Sequence, residues 1–513
     1  MTKVYKFLAT LTFILLFSYF YLYKLGFENI NEDQYRWYDR TQNFFKAIET
    51  KDWAGTYQQY HPGVSLIYFL KLGFETFKIQ NKVNFTDFKT VPYQLFPILN
   101  WATKIYLVLF CLFLLALCCY LIAKNFSNKM VLFFILILGF DTYFIGITRN
   151  LHLDSLVALL SFASILSLYT FLKSKNPWFL ALTILINGLG LLSKSVFILA
   201  LGIQFLIYCY FLLQNKSRKF YFKSFLIINI TSLLLFSLLF PSMWVHPFQT
   251  LQRIFIEGAI NTGLEGEDSF MHYVNGLELT NPGPKFYLWV FNYRLSPLVL
   301  FLVSFTVVGI LFLKVKKIKF KEQTHPLIFF TLLFLILYLI IIFYSPKKTD
   351  RYISIIYPPL AFILSYYFEK ITETVKNSYL YLVAVLFLIL NLAFNFLIHP
   401  YYFAFYNPIF GGQRSAQKYI YINQGGIAYL EVTNYIDSLN LGDSSKVGAI
   451  NSEELTYSSR THIGGLRYYD YFKKNYQILP LQRGDSFIKN STEIKSINIM
   501  GQEYWRIYKL NEK

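Results

Sequence analysis

The stretch PLIFFTLLFLILYLIIIFYSPKKTDRY, residues 326–352, contains the two features that decide the fold. Residues 326–344 are almost continuously apolar, and about 20 such residues span a hydrocarbon core about 30 Å thick. Similar runs recur along the 513-residue chain, which is 55% hydrophobic and only 15% charged, whereas soluble domains carry about 25% charged residues. Runs this long exceed what barrel strands need, so we predict an α-helical polytopic membrane protein.

Hydropathy predicts about eleven membrane-spanning helices. They lie near residues 5–24, 99–123, 129–147, 152–172, 177–193, 196–213, 223–241, 296–313, 326–344, 353–369 and 378–398. The short loops rich in lysine alternate along this order, so the positive-inside rule places them and the N-terminus in the cytoplasm. We therefore predict a multi-pass protein of the plasma (inner) membrane.

The predicted topology divides the chain into two domains. Residues 1–398 form the transmembrane domain, and residues 25–98 and 242–295 are its long extracytoplasmic loops, which bear short helices. The tail, residues 399–513, is polar and contains the runs KVGAI and YQILPL. These β-branched runs predict strands, and hence a small α/β extracytoplasmic domain.

Two compositional features exclude other classes of protein. The net charge of +19 is explained by loop lysines that set topology, and no nucleic-acid motif accompanies it. All four cysteines lie in apolar segments, so no disulfide framework is predicted. The N-terminal apolar run lacks a small-residue cleavage site, and we interpret it as an uncleaved first helix.

Charged residues at predicted outer helix ends indicate where a ligand binds. The cations there are Lys347, Lys348 and Arg351 in YSPKKTDRY, Lys194 in LLSKSVF and Arg149 in ITRNLHLD. Snorkelling, or pairing with a local acid such as Asp350, is the ordinary explanation. Because several such cations lie in separate loops, we favour the alternative that they converge on one phosphate, with Asp350 orienting Arg351.

Acidic residues follow the first helix and recur in the second predicted outer turn. Glu32 and Asp33 lie close to the membrane, where a carboxylate can act as a general base; alternatively, Asp33 only caps a helix over residues 34–50. The stretch DTYFIGITRNLHLDSL adds His152 and Asp154. Their spacing suits a metal, but two ligands do not make a site, so ligand positioning is the favoured role.

These motifs, taken in order, resemble the GT-C superfold of membrane glycosyltransferases. More narrowly they resemble glycosyltransferase family 39, the protein O-mannosyltransferase-like enzymes, with the aminoarabinose (lipid A) transferases nearby. The motifs are Asp33, Trp37, Arg40 and Phe44 with KDWAGTYQQYHPG, then RNLHLD, LLSKS, PSMW, NPGPKFY, YRLSP, KKTDRYISIIYPPL and HPYYFAFYNPIFGG. One departure is Gln34, which stands where the family has a second acid, unless the pair is Glu32–Asp33.

The resemblance implies a reaction and roles for these residues. The donor is a polyprenyl-phosphate-linked sugar, and the acceptor is a hydroxyl on a protein, a lipid or a glycan. The many Phe, Ile, Asn and Lys residues indicate an AT-rich, prokaryotic genome, so composition makes undecaprenyl phosphate the expected carrier. Asp33 is the expected general base of an inverting transfer, and Asp154 is a second catalytic candidate. Lys194, Lys347, Lys348 and Arg351 are expected to bind the donor phosphate. Glu32, Arg40, His61, Arg149, His152, Tyr287 and Arg294 are expected to position substrate.

Neither a cofactor nor a metal is expected, and the partners are membrane lipids and the two substrates rather than nucleic acid. Two other classes of function stay open: a transporter or flippase of lipid-linked glycans, which would place charges at mid-helix, and a non-catalytic membrane scaffold. A retaining mechanism using Asp33 and Asp154 as paired carboxylates is a further alternative.

Overall fold

The computed structural model describes residues 2–31, 33–214, 217–258, 260, 272–274, 277–279, 281–316, 325–375, 379–420, 426–441, 447–449, 453–465, 476–480 and 491–511. Most of these residues are helical. The helices of the bundle are Thr2–Leu22, Phe96–Ala123, Asn128–Leu138, Thr142–Arg149, Asp154–Ser174, Pro177–Ser193, Ile198–Gln214, Arg218–Leu239, Pro297–Val315, Pro326–Tyr344, Tyr357–Val375 and Tyr379–Ile398.

A helix lies at each of the eleven predicted positions, with the third divided in two. Within the described residues, seven helices are long and apolar enough to cross a membrane, or eight if the divided helix counts as one span. The first helix, described as an apolar segment over Leu11–Leu22, and Pro177–Ser193 are shorter. Tyr357–Val375 carries Glu369, Lys370 and Glu373. The predicted helical membrane fold is confirmed, and the spanning role of these three helices stays a prediction.

The divided helix bends by 69° between Leu138 and Thr142. A bend exposes backbone carbonyls, which must find new donors inside a membrane protein. Asn391 and Asn395 both donate to the carbonyl of Phe140, at 2.6 and 2.8 Å. The carboxylate of Asp141 accepts from the backbone N–H of Phe144 and so caps the second half. The bend directs the turn that follows, residues 150–153, to one end of the bundle.

Asp154–Ser174 is the central helix, and the whole of its apolar window is buried. It packs against Phe96–Ala123, Pro177–Ser193, Ile198–Gln214 and the short turn Asp350–Ile356. Buried amide and hydroxyl groups join three of these helices: Ser164 donates to Asn187 at 2.8 Å, and Gln204 donates to Ser164 at 2.6 Å. Such polar contacts hold membrane helices together, and here they fix the helix whose first residue is Asp154.

The long loops carry short helices, as predicted. These helices are Gln34–Glu49, Val64–Asn81, Ser242–Val245, Pro247–Gln252 and Lys285–Arg294, with a π-helical turn at Arg253–Glu257 and a small hairpin of His272–Val274 and Leu277–Leu279. Short 3₁₀ turns occur at Ala54–Thr56, Phe88–Thr90, Tyr93–Leu95, Ser195–Phe197, Asp350–Ile356, Tyr402–Ala404 and Pro408–Phe410.

Gly63 lies between the turn Ala54–Thr56 and the helix Val64–Asn81, and its position requires the glycine of the YHPG sequence. Its φ of +59° suits glycine, and a Cβ there would lie 2.2 Å from the Trp37 ring. Its N–H donates to the carbonyl of Ser193 at 3.0 Å, and the hydroxyls of Ser65 and Ser193 lie 2.7 Å apart. The loop that carries His61 is thereby fastened beside Lys194.

The tail forms the predicted α/β unit. Five strands, Val447–Ala449, Ile463–Gly465, Tyr476–Pro480, Ser491–Ile499 and Gln502–Leu510, make one mixed sheet, accompanied by the helices Gly412–Ala416, Tyr429–Ser438 and Glu453–Thr456. The first three strands pair in parallel and the last two form an antiparallel hairpin. The indole N–H of Trp505 donates to the carbonyl of Ile427 at 2.7 Å, and the amide of Ala428 donates to that of Glu28 at 2.8 Å. The unit therefore packs on the loop that precedes Asp33.

Candidate functional site

A polar cavity of about 340 Å³ lies where the first loop, the turn after residue 149 and two later turns meet. Among the described residues, its lining includes one carboxylate, two imidazoles and five cations: Asp33, His61, His152, Arg36, Arg40, Lys194, Lys347 and Arg351. Cations gathered from three separate parts of the chain around one cavity make it suited to an anion. The convergence expected from the sequence is found for Lys194, Lys347 and Arg351.

Asp33 precedes the helix Gln34–Glu49 but does not cap it, because its side chain accepts no hydrogen bond from the helix backbone. Its Oδ2 lies 3.3 Å from Arg351 Nη2 and 3.5 Å from His152 Nε2. The more exposed Arg36 lies 3.5 Å from the other oxygen. The capping interpretation of Asp33 is therefore wrong, and its carboxylate faces the cavity.

His152 connects Asp33 with a second carboxylate. Its Nδ1 lies 2.7 Å from Asp154 Oδ2, and Lys194 Nζ lies 3.0 Å from Asp154 Oδ1. Asp154 is buried in the first turn of the central helix, where a negative charge is favourable. The ammonium of Lys194 also lies 5.0 Å from the centre of the Tyr352 ring. A continuous chain of ionisable side chains thus runs from Arg351 to Lys194.

The electrostatics of the cavity set the charge states of two of its groups. Burial raises the pKa of Asp33, but the hydrogen bond with His152 and the charge of Arg351 outweigh it and hold that pKa well below its usual range. Burial, followed by the charges of Lys194, His152 and Lys347, holds the pKa of His61 well below its usual value. Near neutral pH, Asp33 is therefore an anion and His61 is neutral.

Lys348 fastens the turn that carries Lys347 and Arg351 to the end of the preceding helix. Lys348 points away from the cavity: its ammonium donates to the carbonyls of Ile342, Phe343 and Ser345 at 3.0, 2.7 and 2.6 Å. These carbonyls end the helix Pro326–Tyr344 and have no partner within it. Lys348 was predicted to bind phosphate, but it does not line the cavity.

Tyr287, predicted to position substrate, supports the same turn. Its hydroxyl donates to the carbonyl of Thr349 at 3.3 Å, and its ring lies 5.4 Å from the ammonium of Lys348. Tyr338 donates to the carbonyl of Tyr352 at 2.7 Å. Tyr287 therefore contacts Thr349, which lines the cavity, but does not line the cavity itself.

Arg294 and Asp350 form a buried pair on the opposite side of this turn. The Nε of Arg294 donates to Asp350 Oδ2 at 2.8 Å, and its Nη1 donates to the carbonyls of Phe403 and Phe405. Tyr406 accepts from Nη2 at 2.7 Å. The expectation that Asp350 orients Arg351 is therefore wrong, because its carboxylate faces the protein interior. Arg294, predicted to position substrate, joins the turn to the chain entering the tail and does not line the cavity.

Arg149 is also remote from the cavity. Its Nη1 donates to the carbonyls of Phe20 and Tyr23 at 2.8 and 3.1 Å, and its Nε lies 3.4 Å from Glu28. Lys104, buried in the helix Phe96–Ala123, lies 3.6 Å from the same carboxylate. This cluster holds the end of the first helix in place. Glu32 lies outside the described residues.

The two remaining sequence predictions concern Arg40 and Gln34. Arg40 lines the cavity with its guanidinium 4.7 Å from the centre of the Trp37 ring. Gln34, the departure from the family pattern, is buried and donates to Tyr38 and Asn100 at 2.7 and 2.8 Å. It therefore supplies no second carboxylate.

Sequence reasoning missed the residues that join the loops behind the cavity. Asn31 donates to the carbonyl of Leu151 at 3.2 Å and accepts from the backbone N–H of Asp33 at 3.1 Å. Asn29 donates to Asn150 at 3.1 Å. Nothing in their sequence spacing marks them, since the contacts join positions about 120 residues apart. Lys104 did carry a signal, because a lysine inside a predicted span needs a partner.

An apolar groove of about 470 Å³ adjoins the polar cavity and shares His61, Lys194 and Tyr352 with it. It runs between the helices Ile198–Gln214 and Pro326–Tyr344, where Ile198, Leu199, Gly202, Tyr338, Ile341 and Ile342 line it. A Cβ at Gly202 would meet nothing within 4 Å, so the groove is open there. Together the cavity and the groove suit a molecule with an anionic head and a long apolar tail.

The described residues contain no group of three or more His, Cys, Asp or Glu side chains arranged to hold a metal ion. His152 and Asp154 contact each other, and their charged neighbours include Asp33 and Lys194. The ligand-positioning role of this pair stays a prediction.

The fold is of the GT-C type, as the motifs predicted. Residues 92–244 match the model of the dolichyl-phosphate-mannose-protein mannosyltransferase family. This match contains His152, Asp154 and Lys194 but neither Asp33 nor Arg351. A search of curated proteins finds no match to the chain.

Two solved structures of ArnT from Cupriavidus metallidurans are similar over nearly the whole chain. The apo structure has a TM-score of 0.50 at 10% identity and covers 98% of both chains. The structure bound to undecaprenyl phosphate has a TM-score of 0.52 at 10% identity and covers 97% of both chains. At 10% identity this likeness establishes the fold and not the reaction. The residues of the cavity are the evidence for the chemistry.

Proposed function

We propose that the chain is an inverting membrane glycosyltransferase that transfers a sugar from a polyprenyl-phosphate donor to an acceptor hydroxyl on the extracytoplasmic face. The observation that carries this proposal is the joined site, in which one carboxylate faces five cations beside an open apolar groove. The ArnT structure of the same fold, bound to undecaprenyl phosphate, supports a lipid phosphate as the carrier.

The donor binds in two parts. Lys194, Lys347 and Arg351 hold the phosphate, and the polyprenyl chain lies in the groove between Ile198–Gln214 and Pro326–Tyr344. Burial of apolar surface contributes about 25 cal/mol per Å², so the chain supplies affinity, whereas the cations supply specificity for the phosphate. The sugar then extends toward Asp33.

Asp33 is the general base. Its carboxylate takes the proton of the acceptor hydroxyl while the acceptor oxygen attacks the anomeric carbon. The bond from that carbon to the phosphate oxygen breaks, and its electron pair leaves with the lipid phosphate. The cations around the cavity stabilise this developing charge. A single displacement from the opposite face inverts the anomeric centre.

Arg351 connects donor binding to base strength. Its guanidinium lies 3.3 Å from Asp33 and helps keep the carboxylate weakly basic. A donor phosphate competes for the same guanidinium, and each contact that Arg351 transfers to phosphate raises the basicity of Asp33. Asp33 therefore becomes an effective base only after the donor is bound, which protects the donor from wasteful hydrolysis.

The paired-carboxylate alternative has less support. Asp154 is buried against Lys194 and His152 and does not line the cavity, so it is poorly placed to attack a sugar. Asp154, predicted to be catalytic, is instead expected to act indirectly by positioning His152.

The test is transfer by the purified protein in nanodiscs, with a panel of polyprenyl-phosphate sugars and with peptide, lipid and glycan acceptors. The anomeric configuration of donor and product is compared by NMR. The proposal predicts transfer with inversion. Transfer with retention rejects the single-base mechanism, and flipping of lipid-linked glycans across the bilayer without transfer favours the transporter alternative.

A further inference from the structure

We propose that residues 242–257, which follow the span Arg218–Leu239, lie in the membrane interface rather than in the aqueous phase. Their partner is the lipid of the leaflet nearest the polar cavity, which we call the cavity-side leaflet. The sequence predicts residues 242–295 as an extracytoplasmic loop, and this proposal changes that prediction for the first part of the loop. The placement in the leaflet does not depend on the proposed function.

The span Arg218–Leu239 presents one apolar face to its surroundings. Only 22% of its apolar window is buried. Ile230, Leu234 and Leu238 are all exposed, and because they recur at every fourth position they lie along one face of the helix. On a helix of this length and hydropathy, such a face contacts lipid acyl chains.

The apolar surface continues past the end of this span. Two short helices follow it, Ser242–Val245 and Pro247–Gln252. Trp244, Phe248 and Ile256 are exposed, and Phe248 is exposed to 87%. Single exposed apolar side chains are ordinary on a protein surface, but a group of them that adjoins a lipid-facing span indicates a membrane surface.

Trp244 fixes the depth of this surface. Its indole N–H donates to the carbonyl of Ser237 at 2.7 Å, and the last four carbonyls of a helix have no partner within it. Its ring lies 5.2 Å from the ring of Trp53 in the first loop. Tryptophan, with a polar edge and an apolar body, concentrates at membrane–water interfaces. Because Ser237 belongs to the last turn of the span, the Trp244 indole lies beside that turn.

The opposite face of the segment is fastened to the protein and reaches the apolar groove. The backbone N–H of Ser242 donates to Thr56 Oγ1 at 2.8 Å, and the hydroxyls of Ser242 and Thr250 lie 2.8 Å apart. Phe255 lines the groove, whereas its neighbour Ile256 is exposed. The segment that contacts the leaflet therefore also forms part of the groove wall.

Polar side chains limit how deep the segment can lie. His246, Gln249, Gln252 and Glu257 are exposed on it, and such groups stay hydrated. Amphipathic segments of this kind lie in the plane of the interface, with their apolar side chains about 5–10 Å into the boundary between headgroups and acyl chains. The charges of Arg253 and Glu257, 3.9 Å apart, offset each other. Apolar burial alone therefore holds the segment, and phosphatidylcholine suffices as the probe.

The experiment measures quenching of tryptophan emission by brominated phosphatidylcholine in nanodiscs that hold the full-length protein. One lipid carries bromine near the ester end of its acyl chains, and another carries it near the methyl end. Phe248→Trp adds a fluorophore to the segment, and its emission is the difference from the wild type, which contains seven tryptophans. Ile230→Trp is the control inside the membrane, about two turns or about 11 Å before the end of the lipid-facing surface at Leu238. Met500→Trp, at an exposed turn of the tail, is the aqueous control.

The placement predicts a different response at each position. We expect the emission added by Phe248→Trp to be quenched more strongly by the shallow bromine, and that of Ile230→Trp more strongly by the deep bromine. Neither lipid should quench Met500→Trp. Emission from Phe248→Trp that neither lipid quenches overturns the proposal, because water or protein then covers this surface. Stronger quenching by the deep bromine contradicts the interfacial depth.

A second measurement tests the connection to the groove, and this part rests on the proposed function. Phe248→Ser weakens the contact with lipid, so we expect a severalfold rise in the KM of a long-chain donor in nanodiscs, with kcat unchanged. Trp178→Ser is the matched control, since Trp178 is exposed at the opposite end of the bundle from Lys194. An unchanged donor KM in Phe248→Ser overturns the connection alone. Absence of transfer by the wild type overturns the proposed function, whereas the quenching result stands independently of it.

Discussion

Asp350 and Arg351 are neighbours in the sequence and face opposite regions of the molecule. Asp350 turns inward to a completely buried pair with Arg294, whose guanidinium also donates to two backbone carbonyls. Arg351 turns toward the cavity, 3.3 Å from a carboxylate that is itself 27% exposed. The first pair is saturated with protein partners, whereas the second lies beside space that a ligand can fill.

This difference separates structural charges from functional ones. A buried charge with a full set of protein partners fixes the fold, because moving it costs several kcal/mol. Cations whose neighbours include one carboxylate and an open cavity can exchange partners with a ligand. Arg294 and Lys348 belong to the first kind, and Lys194, Lys347 and Arg351 to the second.

Removing the inward pair is expected to have the largest effect. Arg294→Met leaves Asp350 buried without its counter-charge and should lower the free energy of unfolding by about 3–5 kcal/mol. Thermal unfolding in detergent measures it, with the exposed Arg36→Met as the matched control. The double variant Arg294→Met/Asp350→Asn should recover part of the loss. An unchanged Tm for the single variant would contradict the claim that the buried Arg294–Asp350 pair stabilises the fold.

Removing the charge of Asp33 should abolish chemistry and spare the fold. Asp33→Asn is expected to lower kcat by about 10²–10⁴-fold, the range of a lost general base, with an unchanged Tm and retained donor. Asp39→Asn, on the helix that follows Asp33 and paired with Lys89, is the control. Transfer by Asp33→Asn at the wild-type rate would discard the base assignment.

Arg351→Gln should act on donor binding more than on stability. A hydrogen bond to a charged group contributes about 1.5–3 kcal/mol, so we expect the donor KM to rise by about 10–100-fold. Arg36→Gln, which is 66% exposed at its side chain, should change it less. Unchanged donor affinity in Arg351→Gln would move Arg351 to the structural group.

Filling the groove tests the lipid half of the site. Gly202→Leu occupies open space, so we expect no loss of stability. Exclusion of two methylene groups of the donor costs about 1.6 kcal/mol, or about tenfold in affinity. A short-chain donor should bind as before, and Leu213→Phe, on the exposed face of the same helix, should have no effect. Equal losses for long and short donors would argue against the groove.

The smallest effect is expected at Lys348. Lys348→Met removes the donor to three helix-end carbonyls and should cost about 1 kcal/mol of stability, with the donor KM unchanged. The two quantities come from thermal unfolding and steady-state transfer. A rise in KM equal to that of Arg351→Gln would instead restore the phosphate-binding role predicted from the sequence.

The helices were predictable because a membrane demands long apolar runs, and those runs dominate local sequence. The cavity was predictable in part, since cations at helix ends and acids near the membrane are unusual enough to notice. Which of them face inward was not, because Asp350 and Arg351 are adjacent residues at the start of a 3₁₀ turn that is held by Arg294. That contact joins positions 56 residues apart.

The contacts that support the cavity were equally hidden. Asn31 and Asn29 are ordinary loop residues by sequence, yet they fasten Asp33 beside His152. The bend at residues 139–141 was missed for a similar reason, since the asparagines that satisfy its carbonyl lie on the helix Tyr379–Ile398. Hydropathy counts apolar residues and does not record such pairings.

The most direct test of the account is donor retention by native mass spectrometry, using purified protein in nanodiscs with a panel of polyprenyl-phosphate sugars. We predict that the wild type retains one donor and that Asp33→Asn retains it equally without transferring the sugar. We predict that Arg351→Gln loses the donor but stays folded, because its Arg294–Asp350 pair is unchanged. A folded wild-type protein that retains no lipid-linked sugar would contradict the central claim that this cavity binds a lipid phosphate.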